Sequence, residues 1–259
     1  MPPPPPAEAP APPTPAADDR PVAERPVRRV RFESMAKFQV EVWINGKRAG
    51  FTPLEINLRE GTYVLTAAGE SLVPVIQVLT VEGENPLVLI PPRVLTMENY
   101  PAAAAMVVRG MSDFEGNDHF LIMSLLMVRE DADAARLLAR ADTTMPGDPM
   151  VDIIRAKLLL RRNELDPAID AVNRGLERLG NVSFAWRVRS MALIARGELD
   201  EALEAANQAM SLDPFGWRNL RIRARVHEAR GDGAAQRSDE ERADELYADL
   251  HAIMERLPK

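Results

Sequence analysis

The chain has 259 residues, 46% hydrophobic and 27% charged, close to ordinary soluble usage, which excludes disorder throughout. A formal net charge of −7 argues against a protein whose main work is neutralising nucleic-acid phosphates or anionic lipid. Zero cysteines exclude disulfides, iron–sulfur clusters, cysteine-zinc sites and thiol nucleophiles, and His119, His227 and His251 are the whole imidazole supply.

Eleven of the 22 prolines fall in the first 26 residues. Each removes a backbone donor and disfavours helix in its neighbour, so residues 1 to about 36 are expected to form a disordered, partly polyproline-II arm. The opening MPPPPPAEAPAPPTPAADDRP has no basic region followed by an apolar one, so no secretory leader is read there. No stretch approaches the ~20 apolar residues of a membrane-spanning helix. The basic cluster Arg25 to Arg31 is flanked by Asp18, Asp19, Glu24 and Glu33, which weakens it as an anion- or lipid-binding patch.

From Phe38 the texture becomes period-two. Phe38, Val40, Val42 and Ile44 share one side of a strand, and Gln39, Glu41 and Trp43 the other, which the pattern leaves exposed. Asn45-Gly46 predicts a tight hairpin, with Lys47 to Phe51 folding back. Further strands are expected at Leu54–Leu58, Tyr63–Ala67, Ile76–Val81 and Leu87–Ile90, before Pro91-Pro92. Together they make a small antiparallel unit over residues 37–92. Its elements Asn45-Gly46-Lys47, Gly50, Thr52-Pro53-Leu54 and Gly61-Thr62-Tyr63 resemble a PEGA domain, a small β-sandwich module of bacterial envelope and multi-domain proteins. The resemblance breaks at Gly69-Glu70-Ser71, where that family has a Gly-Tyr pair. It implies an interaction or spacer module without catalytic residues.

Residues 93–114 are expected to connect two domains. Pro101 suits a first helical turn, the following alanines favour helix, and Gly110 ends it.

Over residues 115–259 the period is helical. Ala134, Ala168 and Ala202 recur every 34 residues, and so do the small residues Ala141, Gly175, Ala209 and Ala243. Two ladders of small side chains at one spacing predict helix pairs packed too closely for larger groups. Residues 183–214 resemble a tetratricopeptide repeat at Trp186, Leu193, Gly197, Ala202, Ala209 and Pro214. Units then run 115–148, 149–182 and 183–216, with a degenerate fourth at 217–250 whose acidic stretch 239–245 suits a capping helix. The turn glycine, present at Gly197 and Gly231, is replaced by Arg129 and Asn163 in the first two units. The expected fold is therefore multidomain: a disordered proline-rich arm, an all-β PEGA-like sandwich and an all-α helical-repeat solenoid.

That second resemblance implies a groove lined by the first helix of each pair. Its positions fall on Met123, Leu126 and Met127, then Met150, Ile153, Lys157 and Arg161, then Phe184, Arg187 and Met191, then Arg218, Arg221 and Arg225. Such a groove is apolar at one end and basic at the other, which fits a protein segment with apolar anchors followed by acidic residues. The competing reading packs the methionines against the connector and pairs the arginines with the acidic cap. The family's dicarboxylate clamp is not matched, since Ile153 and Ile154 stand at its positions, so recognition of a chain-terminal acid is not expected.

Catalysis has no convergent groups here. No histidine has a second ligand at metal spacing, no glycine-rich phosphate loop occurs, and acidic pairs such as Asp131/Asp133 and Asp200/Glu201 sit at helix starts, where they complement the dipole. Neither an enzyme, a cofactor, a metal nor nucleic acid is expected. The expectation is an adaptor or scaffold that joins protein partners, with homo- or hetero-oligomers possible, in a bacterial and envelope-associated assembly. The alternatives are a regulatory or spacer segment of a larger enzyme such as a Ser/Thr kinase, and a structural subunit of an envelope machine. The expected compartment is the cytoplasm if the chain is whole, and the periplasm or envelope if a leader or anchor precedes it.

Overall fold

The computed structural model describes residues 24–68, 75–84, 86–91, 131–144 and 146–256. The first of these contains a strand where an arm was expected. β1 (Val27–Ser34) alternates buried Val30, Phe32 and Ser34 with outward Arg29, Arg31 and Glu33. The arm boundary near residue 36 is thus corrected: Val-Arg alternation supplies one apolar face, and that face goes inward. Residues 1–23 lie outside the described part.

Six further strands follow: β2 (Glu41–Ile44), β3 (Lys47–Phe51), β4 (Leu54–Arg59), β5 (Gly61–Ala68), β6 (Val75–Val81) and β7 (Leu87–Ile90). They form two sheets, ordered β4-β1-β7 and β3-β2-β5-β6. β1 is antiparallel to β4 and parallel to β7. Val30, Phe32 and Ile90 from one sheet meet Val42, Leu65 and Val81 from the other in a single core, so the unit is a sandwich. Asn45 and Gly46 take the positive φ angles, 48° and 74°, that the hairpin demands. The basic cluster of β1 answers to its own module: Arg28 donates to Glu60 at 2.6 Å, and Arg29 lies 3.9 Å from Glu55.

The second unit is built of helix pairs. α1 (Asp131–Thr144) precedes α2 (Pro149–Arg161) and α3 (Leu165–Arg178), then α4 (Ser183–Arg196) and α5 (Leu199–Leu212), then α6 (Trp217–Arg230) and α7 (Gly233–Arg256). The pairs start at Pro149, Ser183 and Trp217, each 34 residues after the last. Both small-residue ladders are inside: Ala134, Ala168 and Ala202, and Ala141, Ala209 and Ala243, are fully buried. At Gly175 an added Cβ would lie 2.5 Å from Ile153 Cγ1 and 2.9 Å from the Pro149 carbonyl oxygen, so α2 and α3 touch backbone to side chain. The turns within the pairs use left-handed residues at Gly197, Gly231 and, in the second unit, Asn163 with φ 61°; asparagine adopts that region at small cost, which explains its substitution for glycine. α7 runs 24 residues where α3 to α6 run 14, as befits a terminal cap.

The sandwich lies against one edge of this array. Arg48 on β3 reaches Asp148, the N-cap of α2, at 3.3 Å, and Phe51 packs on the helical core. Gln39, in the loop before β2, donates to the Asn181 carbonyl at 3.1 Å and accepts from the Ser183 amide at 2.9 Å. Its backbone amide donates to the Asp213 carboxylate, and Lys37 stands 5.4 Å above the Phe215 ring. Three successive turns, those opening α2, α4 and α6, therefore meet the same β-module.

The expected exposure of Trp43 is corrected. It is 3% exposed although it points away from the sandwich core: Arg48 lies 5.2 Å above its ring, and Glu41 on the same face of β2 is buried with it. All four residues of β2 are buried, so the strand is covered on both faces and simple alternation could not assign its second side.

Candidate interaction face of the helical repeats

The first helices of the pairs, α2, α4 and α6, present equivalent positions 34 residues apart. Met150, Phe184 and Arg218 form one row, Ile153, Arg187 and Arg221 a second, Lys157, Met191 and Arg225 a third. Arg161 stands one turn beyond Lys157 on α2, spaced to share its side. Met123, Leu126 and Met127 lie outside the described residues.

The rows differ in what they can do. Met150, Ile153 and Phe184 belong to the helical core, with Ile153 fully buried, so they support the face and do not line an open wall. Arg187 is 6% exposed and donates from Nη1 to Asn219 Oδ1 at 2.9 Å, while Asn219 Nδ2 donates to the Ala209 and Asp213 carbonyls. It is a tie between α4 and α6 rather than a docking group. Burial first, and Arg218 second, push its guanidinium down to about 9 against the opposing pull of Asp213, which leaves it charged at neutral pH. Arg221 follows the competing reading. It turns to the cap, 3.0 Å from Asp244 on α7 and 4.8 Å over the Trp217 ring, because α7 brings carboxylates alongside α6, as Arg223 pairing with Asp239 at 2.7 Å also illustrates.

Convergence is left to the third row and its neighbours. Lys157 is half-buried, with Nζ 3.9 Å from Met191 Sδ. Its amine is pushed down to about 8, by burial first and then by the charges of Arg161, Arg218 and Arg225. All three of these charges have the sign of Lys157 itself. Arg218, 4.0 Å over the Trp217 ring, is itself lowered to about 10, chiefly by burial and then by Arg221, with Tyr247 opposing. Four cations from two helices, α2 and α6, thus meet across the methionine of the helix between them. Such a grouping costs free energy in the free protein, and an incoming anion lowers that cost.

Among the described residues no group of three or more His, Asp or Glu is placed to hold a metal. His227 lies 3.9 Å from both Asp232 and Asp239, and His251 meets the Tyr247 ring edge-on. His119 lies outside the described residues, as do the connector 93–114 and its expected helix.

Reasoning from spacing missed Gln39. The signal available was negative: Val182 and Gly216, the N-cap residues of α4 and α6, have no side-chain acceptor, and α4 takes one from the β-module instead.

No family model and no curated protein matches this chain. Solved structures do. A crystal structure of MamA is 17% identical and covers 60% of this chain and 92% of its own, with a TM-score of 0.44. MamA 41-end from Desulfovibrio magneticus RS-1 is 13% identical, covering 62% and 88%, with a TM-score of 0.41. The second TPR of Spaghetti (RPAP3), bound to the HSP90 peptide SRMEEVD, is 20% identical, covering 41% and 98%, with a TM-score of 0.37.

Proposed function

We propose that the chain is a non-catalytic adaptor whose helical repeats dock an acidic segment of a protein partner on the face formed by Lys157, Arg161, Arg218 and Arg225. The carrying observation is the environment of Lys157, a half-buried ammonium acted on by three guanidiniums. Anionic side chains lower the repulsion there, and arginine forks hold carboxylates with paired hydrogen bonds. Met191 beside Lys157 supplies a deformable apolar contact for an anchor residue. The β-module, read as PEGA-like on its Asn45-Gly46-Lys47 and Thr52-Pro53-Leu54 elements, serves here as a brace for the repeats and as a spacer in a larger assembly.

Two synthetic peptides test this reading by titration calorimetry, one with leucine anchors followed by four glutamates and one with lysines in their place. The acidic peptide binds and the basic one does not. Arg161→Gln with Arg225→Gln weakens binding at least about tenfold, ~1.4 kcal/mol. Affinity also falls as pH rises past about 8, because the free protein then loses the Lys157 proton that the acidic ligand favours. Equal affinity for both peptides, or an unchanged double variant, removes the proposal.

A further inference from the structure

The sheet ordered β4-β1-β7 has two edges of different character. β4 turns Glu55, Asn57 and Arg59 outward, polar and charged groups of the kind that discourage a further strand from pairing. β7 reads Leu87-Val88-Leu89-Ile90 and holds no charged residue. Val88 and Ile90 enter the sandwich core, while Leu87 is 53% and Leu89 49% exposed. Among the described residues no strand pairs with the side of β7 that faces away from β1. We propose that this edge is a homodimer contact, in which β7 pairs antiparallel with β7 of a second copy about a two-fold axis at Val88.

The backbone carries the first part of the argument. The Arg31 amide donates to the Pro86 carbonyl at 3.0 Å and the Met35 amide to the Ile90 carbonyl at 2.9 Å. In a parallel ladder that sets Arg31 opposite Leu87 and Glu33 opposite Leu89, the backbone groups of Val88 and Ile90 are used on β1. Those of Leu87 and Leu89 point the other way. The residues with open amides and carbonyls are thus the same ones whose side chains are exposed, and an added strand serves both. Pro91 ends the row of donors, because it has no N–H.

Register then selects the occupant. Centred on Val88, an antiparallel pairing sets Leu87 opposite Leu89 of the second copy and Leu89 opposite that copy's Leu87, each pair exchanging both backbone bonds. Directly opposite residues share a face, so the leucines of both copies close on one another. On that face Arg31 neighbours Leu87 and Glu33 neighbours Leu89, and the two charges pair at 2.5 Å. Across the contact one row reads Arg31, Leu87, Leu89, Glu33 and the next reads the reverse. Every leucine pair has a cation at one end and an anion at the other, and no like charges meet. Moving the axis to Leu89 would put Leu87 opposite Pro91, which cannot donate, and moving it to Leu87 would cost Leu89 its leucine partner. A shift of one residue would set the exposed leucines against the buried face. The second copy supplies the matching pattern by symmetry. This inference does not rest on the docking face of the helices, and it gives one assembly two such faces.

Sedimentation velocity on the full chain from about 5 to about 500 µM covers the weak association expected of so short a contact. The sedimentation coefficient rises with concentration toward that of a dimer. Leu87→Lys with Leu89→Lys, at side chains outside the core, keeps the thermal melt of the parent and raises the dissociation constant at least about tenfold. Hydrogen exchange on the unaltered chain reads the backbone itself: the Leu87 and Leu89 amides slow from the lowest concentration to the highest, whereas those of Val88 and Ile90, already bonded to β1, keep their rates. A monomer throughout the range overturns the proposal. So does a dimer whose Leu87 and Leu89 amides exchange alike at both ends of the range, or a double variant with the parent's melt that still dimerises as the parent does.

Discussion

The two halves of the molecule fill their interiors with opposite materials. Among the described residues the sandwich core is made of Val, Phe, Leu and Ile with one fully buried alanine, Ala67, whereas the helical array buries Ala134, Ala141, Ala156, Ala168, Ala171, Ala185, Ala192, Ala202, Ala205, Ala206, Ala209, Ala224 and Ala243. Sheets packed face to face stand about 10 Å apart and need bulk between them. Helices that approach at their ridges need room, and small residues provide it. The β-module should therefore suffer most when a side chain shrinks, and the repeats when one grows.

The largest effect is expected from Phe32→Ala, which empties the centre of the sandwich at a cost of about 3–5 kcal/mol. Thermal unfolding followed by near-ultraviolet circular dichroism should show a low-temperature transition while the repeats still melt late. One unchanged transition would mean that the sandwich has no core of its own. Next comes Ala202→Leu, which inserts three carbons where no surface is exposed, at about 3 kcal/mol in the overpacking range. Far-ultraviolet melting of that variant should become broad as coupling between neighbouring units fails; a melt superimposable on the parent would defeat the close-contact account of both ladders. Smallest is Gln39→Ala, which leaves the Ser183 amide without its acceptor and loosens the brace by about 1 kcal/mol. Hydrogen exchange at that amide should accelerate, with exchange inside α5 unaltered, and equal exchange at Ser183 would show that the β-module does not cap α4.

The same contrast explains what could be read from the residues beforehand. Spacing revealed the array because each unit must repeat its smallest contacts, and Ala168 or Gly175 has no alternative to being small. It revealed most of the sandwich because strands such as β4 and β7 keep one face wet. It failed at β1, where Val-Arg alternation beside prolines resembles a charged tail, and at Trp43, which is buried beneath Arg48 on the face the pattern leaves exposed. Among the site residues, counting put Lys157, Met191 and Arg225 in one row, as the helices do. It could not tell that Arg187 is spent on Asn219, because that partner lies in another segment and obeys no period, whereas Arg221 meets Asp244 in the acidic stretch that the competing reading offered it. Gln39, a single polar side chain in a loop, left only the negative trace of a helix start without its own cap at Val182.

Because the β-module grips the chain at Asp148, at Asn181 and Ser183, and at Asp213, it pins three consecutive joints of a structure that ordinarily flexes by small rotations at each one. Mechanical compliance is then uneven along the molecule. The stretch from α2 to the start of α6 behaves as a stiff beam, and the elasticity that remains is concentrated beyond it, toward the tip formed by α7.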